Sequence, residues 1–110
     1  MLNFKLYMLQ RLSAVFMVPL VFGHLALMIY AIQGGLSSAE ILARTQTSPF
    51  WFLFYGSFVL AVSIHAAIGL RVIAYEIIGL KGIKLEILMW AVGLGLLALG
   101  GRAVLAVTVL

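Results

Sequence analysis

No cysteine occurs in the 110 residues, which excludes disulfides, thiolate metal sites and cysteine-ligated iron–sulfur clusters within the chain. Charge is scarce too: Asp, Glu, Lys and Arg make up 9% of the residues, against about a quarter in a water-soluble domain. The solvent around such a chain is lipid. The seven basic residues leave a net charge of +4, yet they are scattered and form no stripe of the kind nucleic acid requires. Nucleic acid is therefore not an expected partner. There is no Gly-x-Gly-x-x-Gly turn following a strand, so no flavin or nicotinamide fold is expected.

What is present is hydrocarbon, with 65% of the residues apolar. A charge-free run from Leu12 to Ile32 covers 21 residues. As a helix it measures about 31 Å, the thickness of a bilayer's hydrocarbon core. A second uncharged stretch of 26 residues runs from Thr45 to Leu70, and a third from Ile87 to Gly101 resumes after Arg102. The first run exceeds a signal-peptide core and no small-residue cleavage site follows it, so it is kept as a membrane helix. The expectation is an all-α membrane protein with one transmembrane domain over residues 1–110 and helices over about 11–33, 49–77 and 84–109.

Local signals set the ends of these helices. Ser48 before Pro49 reads as an N-cap with a first-turn proline, and Phe50, Trp51, Phe52 and Tyr55 form an interfacial aromatic group. Ser37 and Glu40 have capping-box spacing, which predicts a short surface helix through Ile41 and Leu42. Gly79 and Gly82 mark a tight turn, and Pro19 is expected to kink the first helix. If the helices alternate, Lys5, Arg11, Arg71, Lys81 and Lys84 share one side, which the positive-inside rule makes cytoplasmic. The N-terminus then faces the cytoplasm and the C-terminus the outside.

The chain's two histidines, His24 and His65, both fall inside these spans, where an imidazole must gain a partner to offset desolvation. Each is either a hydrogen-bonded structural residue or a ligand. Ala61 and Gly69 flank His65 one turn away on the same face, a pattern that admits a flat macrocycle but also serves ordinary membrane helix packing. Arg71, six residues on and so about 9 Å nearer the cytoplasm, suits either a haem propionate or a topological anchor.

The run His65-Ala-Ala-Ile-Gly69-Leu-Arg71-Val-Ile-Ala-Tyr-Glu76 resembles the haem motif of succinate dehydrogenase cytochrome b subunits, His-x-x-x-Gly-x-Arg-His-x-x-x-Asp. Gln10-Arg11-Leu12-Ser13-Ala14 likewise resembles the family's His-Arg-x-Ser-Gly start of helix one. The resemblance spans most of residues 7–108. It implies an anchor subunit of a succinate dehydrogenase or fumarate reductase, with His65 as a haem ligand and Arg71 and Arg11 near propionates. Val72, Glu76, Gln10 and Ala14 depart from the motifs, so no role carries over from the missing histidines, and the quinone site is less well supported.

His24 resembles the histidine that two-haem anchors carry deep in helix one. With Arg11 and Arg71 at one height, His65 lies about 9 Å deep and His24 about 20 Å deep, too far apart to ligate one iron. The reading is one or two haem b groups, shared with a second membrane anchor subunit that supplies the opposite ligands. An iron–sulfur subunit and a flavoprotein subunit would dock at the cytoplasmic face of a bacterial or archaeal membrane. Quinone would bind at Arg11, with Ser13 and Tyr7 as further candidates; Ser13 suits a backbone bond within its helix equally well, and Tyr7 an interfacial anchor. Two rivals stand beside this. One is a haem-free, quinone-binding structural anchor. The other is a proton-relay accessory subunit using His24, His65, Glu76 and Arg102, whose path is broken by apolar residues between His65 and Glu76.

Overall fold

The computed structural model describes residues 3–109. Asn3 starts the first helix by accepting the Leu6 N–H at 2.9 Å, and α1 then runs from Phe4 to Gly34 without interruption at Pro19. Its 31 residues measure about 46 Å, well beyond the roughly 30 Å of a hydrocarbon core. Lys5 and Arg11 therefore lie within α1 and do not precede it, which corrects the expected start near residue 11. Loss of charge marks where lipid begins, whereas Lys, Leu, Gln and Arg are all good helix formers and extend the helix past that point.

Helix α2 covers Ser38–Thr45, and Ser37 is its N-cap: Ser37 Oγ accepts from the Glu40 N–H at 3.2 Å and donates to Glu40 Oε1 at 2.8 Å, a hydroxyl contact where a capping box has the backbone N–H. Helix α3, Pro49–Ile73, begins at Ser48, whose Oγ accepts from the Trp51 N–H, and ends in a π-helical turn over Ala74–Ile78. Gly79 and Gly82, with φ of 79° and 67°, then reverse the chain into α4, Ile83–Thr108. Both take backbone conformations that a side chain would oppose. Three segments, Phe4–Gly34, Pro49–Ile78 and Ile83–Thr108, are long and apolar enough to cross a membrane.

Helix α3 is central: α1 and α4 both pack against it, and the contact between α1 and α4 is slight. Small residues set the approach. A Cβ on Gly23 would meet the Phe54 ring at 3.2 Å, one on Gly93 would meet Ala67 Cβ at 3.2 Å, and one on Gly100 would meet Val59 at 2.5 Å. Close backbone approach of this kind is how helices associate where lipid offers no hydrophobic drive. Ala67, Ile68 and Met89 form the buried centre, with Leu6, Ile64 and Val92 against it. At the end bearing α2, Thr45 Oγ1 donates to Val107 O at 2.7 Å and the Thr47 N–H to Thr108 O at 2.6 Å. These bonds satisfy two carbonyls that the end of α4 would otherwise leave open.

Candidate functional site

The α1–α3 contact aligns Gln10 with Gly69, Ser13 with His65 and Gly23 with Phe54. Phe58, Val62, His65, Gly69 and Val72 share one face of α3 by helical spacing. His65 is half-buried there, its Nδ1 3.4 Å from the buried Ser13 Oγ, while its Nε2 has no hydrogen-bond partner among the described residues. One ring nitrogen is anchored to α1. The other is available to a ligand.

The small residues beside His65 turn out to have other work. Ala61 is 5% exposed and lines the α1–α3 groove with Ser13 and Phe16, and the space over Gly69 is met by the Gln10 side-chain amide. Neither marks empty space for a macrocycle. Arg71 is also engaged, forming a salt bridge with Glu86 of α4 that closes the α3–α4 hairpin. Glu86 was not singled out from sequence; the available signal was two opposite charges flanking a short turn between two spans.

His24 lies farther along α1, its ring edge-on to Phe58 at 5.3 Å and to Tyr55 at 6.4 Å between centroids. It forms no hydrogen bond among the described residues and borders a cavity of about 490 Å³ with Thr45, Tyr55 and Ser63 among its walls. Since Ser13 is level with His65, His24 stands 11 residues on, about 16 Å along α1. The backbone levels of the two histidines are thus farther apart than the expected 10 Å or so. The difference arises because Arg11 is not level with Arg71: the residue that shares a pocket with Arg71 is Tyr7.

The same register divides the expected quinone residues. Arg11 and Ser13, two apart on a helix, point to nearly opposite sides. Ser13 is buried against α3 and donates to Gln10 O at 3.0 Å, the backbone bond weighed for it from sequence. Arg11 is exposed and donates to the Tyr7 hydroxyl at 3.2 Å, its guanidinium 5.6 Å from the Tyr7 ring centre. Tyr7, in turn, lines a pocket of about 410 Å³ with Asn3, Arg71, Val72, Tyr75 and Glu76. Tyr75 was missed as a wall residue. Among the described residues no group of three or more His, Cys, Asp or Glu could hold a bare metal ion, so His24 and His65 do not form an ion site of their own. Iron carried in a macrocycle needs a single imidazole per side.

Helix content, span length and apolarity define an all-α integral membrane protein with three spanning helices. The family model described as succinate dehydrogenase/fumarate reductase transmembrane subunit matches residues 2–108, and the chain belongs to that family. No curated protein and no solved structure matches it. As a subunit of such a complex it associates with the complex's other subunits.

Proposed function

We propose that this chain is a haem b-binding anchor of a succinate:quinone oxidoreductase, docking the iron–sulfur and flavoprotein subunits and linking their clusters to membrane quinone. The observation that carries this is the His65 imidazole, held by α1 at Nδ1 and free at Nε2, in a chain of this family. His65 would hold the haem from this chain, and the second membrane subunit, packed on the His65 face as the other half of the anchor, would supply the further ligand. Bound haem would provide reversible one-electron transfer. Arg11 and Arg71 are the cationic candidates for its propionates; Arg71 shares its charge with Glu86, whereas Arg11 is exposed.

The pocket edged by Tyr7, Arg71, Tyr75 and Glu76 suits quinone, with polar groups that hold a carbonyl beside a water-accessible source of protons. Arg11 reaches that pocket through its bond to Tyr7. The end bearing Lys5, Lys81 and Lys84 is assigned to the cytoplasm by the positive-inside rule, which places the C-terminus of α4 outside. A bacterial or archaeal cytoplasmic membrane fits this orientation. His24, about 16 Å from the His65 level, would hold a second haem near the outer side, with a further ligand from the partner subunit.

A second reading, a haem-free quinone-binding anchor, draws support from Ala61 and Gly69, which serve the α1–α3 contact and leave His65 a hydrogen-bonded residue. A reduced-minus-oxidised spectrum of the isolated complex separates the two. A b-type difference band is expected; its absence selects the haem-free anchor.

A further inference from the structure

We infer that Ser13 is a positioning residue for His65, fixing the tautomer that leaves Nε2 unprotonated and strengthening that nitrogen as an axial donor. The inference rests on the ligand role proposed for His65. A serine hydroxyl has one hydrogen, and the shorter of the two Ser13 contacts, to the Gln10 carbonyl at 3.0 Å, assigns it there. The contact between Oγ and Nδ1 at 3.4 Å therefore runs in the other direction: Nδ1–H donates and the Ser13 oxygen accepts. A neutral imidazole protonated at Nδ1 carries its lone pair on Nε2, the nitrogen with no hydrogen-bond partner among the described residues.

The arrangement is a short chain in which Nδ1–H donates to Oγ and Oγ–H donates to the Gln10 carbonyl. Each bond polarises the next. Ser13 is 8% exposed, so water competes little for the contact. A histidine that ligates a metal commonly donates its second N–H to such an acceptor, which orients the ring and raises its basicity. A more basic imidazole favours ferric over ferrous iron. Ser13 thus acts through His65, on the side of α1 opposite Arg11, away from the quinone residues.

The test uses the intact complex with the native chain, with Ser13→Ala and with Ser13→Thr, measuring haem per complex and the ferrous fraction at a series of imposed potentials. Ser13→Ala should retain haem and raise the ferrous-to-ferric ratio at a given potential by roughly two- to tenfold, the worth of one hydrogen bond. Ser13→Thr keeps the hydroxyl and should follow the native curve. A Ser13→Ala curve that overlies the native one overturns the inference, and a raised KM for quinone in that variant would return Ser13 to the quinone site. Should Ser13→Ala lose its haem, Ser13→Thr decides: haem retained on the native curve supports the inference, and haem lost overturns it. The native sample is read first. Absence of a b-type haem there refutes the ligand role of His65 and this inference with it, a failure distinct from that of Ser13 alone.

Discussion

At the scale of single residues, the Arg71–Glu86 pair ties the end of α3 to the start of α4, with the Arg71 side chain 11% exposed and that of Glu86 44%. Because Glu86 faces water in part, its removal costs little: Glu86→Gln should lower stability by about 1 kcal/mol or less. A double-mutant cycle with Arg71→Gln, read by thermal unfolding of the complex, isolates the coupling between them. Arg71 was legible in the sequence as a residue of interest, but its partner was not, because which acid it meets depends on the turn at Gly79 and Gly82. Ser13 shows a similar limit. Its backbone bond is local and could be read from spacing, whereas its contact with His65 depends on the register between two helices. Arg11 and Ser13 were grouped by their shared height at the membrane boundary, yet a helix sends residues two apart to opposite sides.

Among the elements, α3 and α4 meet tightly at Gly100, where a methyl group would strike the Val59 side chain. Gly100→Ala should destabilise the hairpin by about 1–3 kcal/mol, the usual effect of overpacking. Val59→Ala in the same chain should recover part of the loss, as read by the midpoint of detergent-induced dissociation. At the far end of α4, Thr45→Val removes the hydroxyl that caps Val107 and should cost about 1 kcal/mol in thermal unfolding, with α2 loosened from the bundle. The long apolar runs made the three spans readable, and Ser37, Glu40, Ser48 and Pro49 gave the caps of α2 and α3. The start of α1 was not readable from charge, since basic side chains leave the lipid by extending toward water while their backbone stays helical. The π-helical turn over Ala74–Ile78 was also hidden. It widens the helix after Ile73, so spacing counted at a constant 100° per residue does not extend to Glu76.

Across the whole molecule, α3 is packed by both α1 and α4, and only part of each helix is covered by its neighbours. His65, on α3, stays half-buried in this arrangement. The pocket edged by Tyr7 and Arg71 and the His65 imidazole are separate along α3, so their effects on turnover should separate as well. Arg11→Lys keeps the charge but loses the planar fork that reaches Tyr7. Quinone-linked turnover should fall more than succinate oxidation measured with a soluble artificial acceptor; equal losses in both assays would place the defect outside the quinone site. The central claim is that His65 ligates a haem, and the most direct measurement is haem per isolated complex for the native chain, His65→Ala and His24→Ala. The account predicts two haems in the native complex and loss of one from each variant, with His65→Ala also assembling less well. A full b-type spectrum in His65→Ala would contradict it, and one haem unchanged by His24→Ala would end the second site and leave His24 structural.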